Sequence, residues 1–138
     1  MDKLNKIAVF GPGLMGASLA LAVRKTWPDA NVAVWARNRD RLRNAEERGI
    51  GHEFSIRPVE VAKDADVIVL CVPISSMKGL VEDFLEAVSP QCLITDVGSV
   101  KACVEDQLGP LIGKHARWIG SHPMTGSEKS GIHAAIAN

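Results

Sequence analysis

Residues Lys6–Gly16, KIAVFGPGLMG, are the most informative part of the sequence for the fold, because a short apolar run is followed by glycines and then by a segment rich in alanine and leucine. In such a turn between a strand and a helix, the first glycine permits a sharp bend, the second lets the backbone approach a pyrophosphate, and the third lets the helix pack closely. N–H groups at the helix start then face the anion. The pattern predicts a dinucleotide-binding turn; the alternative is a glycine-rich turn without a ligand. The expected contacts are Gly11, Pro12, Gly13, Leu14, Met15 and Gly16.

Outward from this turn, apolar runs alternate with helical patterns along the whole chain. The alternation predicts an α/β fold, a Rossmann-type doubly wound parallel sheet with strand order 3-2-1-4-5-6 and helices on both faces. Proline and glycine mark element ends: Pro28 and Gly49 end helices, and Pro58 begins one. The expected strands cover 6–10, 31–36, 53–56, 66–72, 92–96 and 117–120. The expected helices cover 14–25, 39–48, 58–63, 74–88 and 99–112.

The composition is that of an ordinary globular domain, with 46% hydrophobic and 23% charged residues in a chain of 138. Sixteen basic residues balance sixteen acidic ones, which argues against nucleic acid or an anionic membrane as a partner. No apolar run approaches the ~18 residues of a membrane span, and residues 1–5 contain no signal-peptide core. We therefore expect one dinucleotide-binding domain over residues 1–138, located in the cytoplasm.

The cysteines and histidines lack the spacing of a metal site. Cys71, Cys92 and Cys103 are odd in number and unpatterned, and two of them lie in apolar runs. Free thiols in a reducing compartment are expected rather than disulfides or metal ligands. The four histidines show no ligand spacing with one another or with the cysteines, so the sequence predicts no metal.

The choice between NAD and NADP depends on the end of the second strand. NAD-binding units of this kind carry an acidic residue there, which accepts hydrogen bonds from the ribose 2′-hydroxyl. Ala36 occupies that place, and arginines follow it. Guanidinium groups suit a 2′-phosphate, so the sequence favours NADP over NAD. The alternative is a solvated helix start whose arginines only pair with nearby acids, as expected of Arg41 and Arg43. The expected cofactor ligands in this segment are Arg37, Asn38 and Arg39.

In a doubly wound sheet, ligands bind outside the carboxyl ends of the strands, so the residues after the later strands are also site candidates. Cys71, Val72 and Pro73 either cover the nicotinamide side of the cofactor or simply begin a helix. Ser99 either caps a helix or points its hydroxyl into the cleft. His122 is the only histidine at a strand tip. Because imidazole acts as a base near neutral pH, His122 is the candidate to take a hydroxyl proton.

Three motifs resemble the prephenate/arogenate dehydrogenase family: GPGLMGASLALAVR (11–24), TDVGSVK (95–101) and IGSHPMTGSEKSGI (119–132). The third is the most specific, since other hydroxyacid dehydrogenases share GxGxMG. The resemblance spans nearly the whole chain and implies oxidative decarboxylation of prephenate to 4-hydroxyphenylpyruvate, or of arogenate to tyrosine. Which of the two is the substrate stays open. The alternatives are another GxGxMG hydroxyacid dehydrogenase and a non-catalytic NADP-binding module.

The resemblance also implies residue roles by position. His122 would accept the proton of the ring hydroxyl as hydride leaves, and Ser99 would bond to that hydroxyl or to His122. Ser127 and Glu128 would lie near the substrate's side chain. The family's helical dimerisation domain does not follow in this sequence, so we expect a chain truncated before it. The full-length protein is expected to be a homodimer, and these 138 residues alone to bind cofactor with little or no turnover.

Overall fold

The computed structural model describes residues 3–98 and 101–121, and within them one parallel sheet carries helices on both faces. The strands are β1 (Lys6–Phe10), β2 (Asn31–Trp35), β3 (Glu53–Ser55), β4 (Val67–Leu70), β5 (Leu93–Asp96) and β6 (Arg117–Ile119). The helices are α1 (Leu14–Thr26), α2 (Arg39–Glu47), α3 (Pro58–Ala62), α4 (Ile74–Phe84) and α5 (Lys101–Ile112), with a single 3₁₀ turn at Leu85–Ala87.

The strands lie in the order β3-β2-β1-β4-β5-β6, and every neighbouring pair is parallel. The predicted doubly wound sheet and its strand order are therefore confirmed. The order reverses between β1 and β4. At such a reversal the connections leave toward opposite faces and open a crevice at the carboxyl ends of the strands. The residues directly after β1, β2 and β4 therefore border that crevice.

Both faces of the sheet are apolar, which explains why its strands read as continuous hydrophobic runs. Successive side chains of β1 point to opposite faces. Ala8 and Phe10 pack in the core that α3, α4 and α5 complete, whereas Ile7 and Val9 pack in the core that α1 and α2 complete. Phe10 also stacks on Phe84, with ring centroids 4.9 Å apart. Close packing on both sides holds the strand tips in fixed register.

Some element boundaries differ from the predicted ones. The helix predicted over 74–88 ends at Phe84 and tightens into the 3₁₀ turn. The strand predicted over 66–72 ends at Leu70, because its partner strand β1 ends opposite it at Phe10. Beyond that pair, Cys71 still donates its N–H to the Phe10 carbonyl at 2.8 Å. The predicted helix start at 99 lies outside the described residues.

Candidate functional site

The turn after β1 has the backbone geometry that its glycines predict. Gly11 has φ +106°, a conformation that side-chain-bearing residues rarely adopt, and its N–H donates to the Trp35 carbonyl at 2.9 Å. A Cβ on Gly16 would lie 1.9 Å from the Gly11 carbonyl oxygen, because α1 packs directly on the turn. The fold itself therefore requires glycine at these two positions.

Gly13 is not required by the fold in this way. A Cβ there would meet no atom of residues 3–98 and 101–121 within 4 Å, and its φ of −74° suits any residue. Gly13 is the N-cap of α1, whose first turn contains no acidic residue. The start of α1 therefore presents N–H groups and a partial positive charge to open space. A pyrophosphate fits this place, because it accepts such N–H groups and a side chain would hold it away.

A groove of about 230 Å³, which we name the tip groove, opens beside this turn between the ends of β1, β2 and β4. It brings together residues from segments that are far apart in the sequence. Its lining consists of Gly11, Pro12, Trp35, Ala36, Arg37, Asn38, Arg41, Val72, Pro73 and Ser76.

The tip groove is basic on the side where NAD-binding units carry an acid. Ala36 is buried there and offers no carboxylate. Arg37 spans the groove, since its Nη2 donates to the Ser76 Oγ of α4 at 3.2 Å. Within the described residues, neither Arg37 nor Arg41 forms an ion pair with a carboxylate. Two such guanidinium groups without acidic partners favour a multiply charged anion.

The placement of two arginines differs from the sequence-based expectation. Asn38 begins α2, and its Oδ1 accepts the N–H of Arg41 at 3.0 Å. In the helix that begins there, Arg41 lines the tip groove. Arg39 instead lines a separate depression beside Glu46 and Glu60. Residues two apart on a helix point about 200° away from each other, so α2 cannot turn both arginines to one groove. Arg41 therefore joins the groove-lining residues although the sequence did not single it out, and the role of Arg39 at the cofactor stays a prediction.

The loop after β4 packs against the glycine turn. The Cys71 carbonyl oxygen lies 2.8 Å from the place that a Cβ on Gly11 would take, and Val72 and Pro73 line the tip groove. Burial, and to a lesser degree the Asp96 carboxylate, raises the pKa of the Cys71 thiol to about 12. The thiol is therefore neutral near pH 7 and behaves as a small apolar group rather than a nucleophile.

Asp96 is the one fully buried charged side chain in the described part of the chain, and it ends β5 beside β6. It contacts the loops that leave both strands, through Gly98 and Ser121. Four predicted site residues lie outside the described residues, so their roles stay predictions. These are Ser99, His122, Ser127 and Glu128.

Sequence reasoning missed four residues of this region. Two of them, Trp35 and Asp96, could have been noticed in the sequence, because a tryptophan or a lone acid at the end of an apolar strand is unusual. The groove position of Arg41 depends on the rotational phase of α2, and the contact of Ser76 with Arg37 joins residues 39 apart in sequence. Neither of these could be found without the fold.

Metal sites and membrane-spanning helices are both absent from the described residues. Across residues 3–98 and 101–121, no group of three or more histidine, cysteine, aspartate or glutamate side chains is placed to hold a metal ion. Over the same described ranges, no helix has both the length and the apolar character needed to span a bilayer.

A family model and two curated relatives of this chain carry related descriptions. The family model of the prephenate dehydrogenase nucleotide-binding domain matches residues 19–138. A prephenate dehydrogenase of Lactococcus lactis is 36% identical over 98% of this chain, and a cyclohexadienyl dehydrogenase of Zymomonas mobilis is 29% identical over 99%. The chain spans 38% and 46% of their lengths, respectively.

A solved structure shares the fold. The prephenate dehydrogenase from A. aeolicus, in complex with hydroxyphenyl propionate and NAD+, superposes with a TM-score of 0.82 at 22% identity. The match covers 99% of this chain and 47% of that one. The described fold therefore corresponds to about half of the A. aeolicus chain.

Proposed function

The chain belongs to the prephenate dehydrogenase family, and from this premise we propose that it is the NADP-binding part of an oxidoreductase that acts on prephenate or arogenate. In the proposed reaction the cyclohexadienyl ring loses hydride and carbon dioxide and becomes aromatic. Prephenate then gives 4-hydroxyphenylpyruvate, and arogenate gives tyrosine. The reaction belongs to tyrosine biosynthesis.

Bound NADP supplies the acceptor for the hydride. The residues of this chain fit the cofactor at two neighbouring places. The N–H groups of Gly13–Met15 lie at the positive end of α1 and would hold the pyrophosphate. The tip groove would hold the adenosine half, with Val72 and Pro73 as an apolar wall. Cys71 precedes these two residues; its raised pKa keeps the thiol neutral, so it would not react with the cofactor.

The single observation that carries the choice of NADP is the basic wall of the tip groove. An adenosine 2′-phosphate adds negative charge, which a carboxylate after β2 would repel and guanidinium groups attract. Ala36 supplies no carboxylate, and Arg37 and Arg41 line the groove without acidic partners among the described residues. Family membership alone does not decide the cofactor, since the A. aeolicus relative was solved with NAD+.

The proposed chemical step uses residues that follow β5 and β6. These strands are neighbours in the sheet, so the segments after them leave the same edge side by side. We assign His122, three positions after Ile119, as the general base that takes the ring hydroxyl proton. Ser99, three positions after Asp96, would hold that hydroxyl or the imidazole in place. Ser127 and Glu128 would contact the side chain of the substrate.

The wider setting of the protein is also proposed here. Residues 1–138 form one dinucleotide-binding domain, and the whole protein acts as a homodimer in the cytoplasm. Three free cysteines support a reducing compartment, because secreted domains usually pair theirs.

Calorimetric titration with NADP and NAD tests the cofactor assignment. We expect NADP to bind more tightly than NAD. Arg37→Ala and Arg41→Ala should each weaken NADP binding about 10- to 100-fold, the range for losing a hydrogen bond to a charged group. Neither change should alter NAD binding, because NAD carries no 2′-phosphate.

Arg39→Ala is the matched control. It removes the same charge from the same helix, but from the side that lines the separate depression. It should keep the affinity for NADP within about twofold of that of the unchanged protein, since an exposed charge farther from the ligand is largely screened by salt. Equal losses for Arg39→Ala and Arg41→Ala, or tighter binding of NAD by the unchanged protein, would overturn the assignment.

A further inference from the structure

The Asp96 carboxylate connects two loops at the carboxyl edge of the sheet. Its side chain is fully buried. Oδ2 accepts the N–H of Gly98 at 2.7 Å, and Oδ1 accepts the N–H of Ser121 at 3.3 Å. Gly98 lies in the loop after β5 and Ser121 in the segment after β6, so each oxygen holds a different loop.

A second set of hydrogen bonds reinforces this connection. The Ser121 hydroxyl donates to the backbone carbonyl of Asp96 at 2.5 Å. A serine hydroxyl has one hydrogen, so the 2.9 Å contact between Ser121 Oγ and Thr95 Oγ1 has the threonine as donor. The β5–β6 ladder ends at the pair Thr95 and Ile119. Side chains therefore continue the link between the strands beyond the backbone ladder.

The surroundings of the carboxylate fix the loop after β5 closely. A Cβ on Gly98 would lie 2.9 Å from Asp96 Oδ2 and 3.3 Å from a side-chain carbon of Ile74. The loop thus folds over the carboxylate at van der Waals distance. In such a water-poor place, hydrogen bonds to a charged oxygen are strong, and losing one leaves a buried polar group unpaired.

We propose that Asp96 is a positioning residue that fixes the two loops carrying the residues of the chemical step. Gly98 directly precedes Ser99, and Ser121 directly precedes His122. Asp96 does not touch the reacting atoms; it acts through backbone N–H groups one residue away. The inference rests on the proposed function, because that function assigns Ser99 and His122 their roles.

Stability alone does not account for a carboxylate here. A buried charge is costly to desolvate, and apolar residues of similar volume often stabilise a fold as well or better. A carboxylate differs from them in accepting two N–H groups at fixed positions. It thereby selects one arrangement of both loops, and a misplacement of about 1 Å at a reacting centre can cost on the order of 100-fold in rate.

Asp66 provides a matched control within the same sheet. Its Oδ2 also accepts two backbone N–H groups, from Asn5 at 2.8 Å and Lys6 at 3.0 Å. These bonds join β1 to the residue before β4 at the opposite, amino edge of the sheet. Asp66→Asn therefore removes a comparable tie between neighbouring strands, far from the proposed site.

The test compares Asp96→Asn with Asp66→Asn in the whole protein. Asparagine keeps the shape of the aspartate side chain but has one hydrogen-bond-accepting oxygen in place of two. We expect Asp96→Asn to lower kcat about 100-fold while the KM for NADP stays within about twofold. Asp66→Asn should keep kcat within about twofold of the value for the unchanged protein, even if it lowers the melting temperature as much as Asp96→Asn does. A similar kcat for both variants would overturn the proposal.

A second readout does not require turnover. In Asp96→Asn the N–H groups of Gly98 and Ser121 lose a charged acceptor, so by proton NMR their amide resonances should shift, and those of His122, the residue after Ser121, should shift with them. Asp66→Asn should leave all three unchanged, and unchanged His122 resonances in Asp96→Asn would contradict the proposal. Absence of turnover in the unchanged protein would instead contradict the proposed function, and the NMR comparison would still decide on Asp96.

Ser121 supplies a milder variant in case Asp96→Asn does not fold. Ser121→Ala removes the hydroxyl bonds to Asp96 and Thr95 and leaves the backbone N–H in place. We expect kcat to fall about tenfold, in line with one lost hydrogen bond, and Ser121→Thr to restore it. Wild-type kcat in Ser121→Ala would count against the proposal.

Discussion

Gly13 and Gly16 belong to one motif, yet the structure distinguishes their purposes. The fold needs Gly16, because a Cβ there would lie 1.9 Å from the Gly11 carbonyl oxygen. A Cβ on Gly13 would meet no atom of the described residues within 4 Å, so packing does not require glycine there, and its N-cap position and the proposed pyrophosphate are the reasons left. The sequence motif predicts all three glycines but cannot separate structural need from ligand contact, because that separation depends on what each Cβ would touch.

Alanine substitutions at these two positions should therefore fail in different ways. Gly16→Ala should lower the free energy of unfolding by about 3 kcal/mol or more, because the overlap is with backbone that cannot move aside. Gly13→Ala should cost only about 1 kcal/mol, the penalty of a poorer N-cap, and yet greatly weaken NADP binding.

Urea unfolding and calorimetry measure both effects on the two variants. Each variant is the control for the other, since both add one methyl group to the same turn. Gly13→Ala protein that folds and binds NADP like the unchanged chain would show that the pyrophosphate does not approach this backbone.

At the scale of the elements, helix α2 shows where sequence reasoning stops. The arginine-rich segment and its meaning for the cofactor follow from the residues after β2. Which arginine faces the groove depends on the rotational phase of the helix, and Asn38 sets that phase by accepting the N–H of Arg41. Likewise, the contact between Arg37 and Ser76 joins α4 to the segment before α2, a tertiary contact that no local pattern predicts.

Two substitutions of Asn38 separate its capping role from its place in the groove. Asn38→Ala should lower the free energy of unfolding by about 1 kcal/mol through loss of the N-cap. Asn38→Asp should keep the cap and the stability, because aspartate caps as well as asparagine. The added charge should weaken NADP binding about fivefold to tenfold by repelling the 2′-phosphate and leave NAD binding unchanged.

Urea unfolding and titration with both nucleotides compare the two variants directly. An Asn38→Asp protein that binds NADP as tightly as the unchanged protein would place the 2′-phosphate away from the start of α2.

At the scale of the whole molecule, the sheet was predictable from the sequence. Continuous apolar strands covered on both faces, joined by helices, permit few arrangements, and the glycine turn after β1 identifies the doubly wound one. Strand ends were less predictable, since β4 ends at Leu70, where its partner β1 ends, although the apolar run continues to Val72. The assembly of the tip groove from three strand tips is a property of the folded sheet, so its member Ser76 could not be assigned from local sequence.

The decisive experiment measures the rate of cofactor reduction by the whole protein, with prephenate and with arogenate, each with NADP and with NAD. We expect at least one substrate to yield NADPH and carbon dioxide in equal amounts, faster with NADP than with NAD. His122→Asn should abolish most of this turnover and retain NADP affinity. A protein that binds NADP but reduces it with neither substrate would contradict the account and would identify a non-catalytic NADP-binding protein instead.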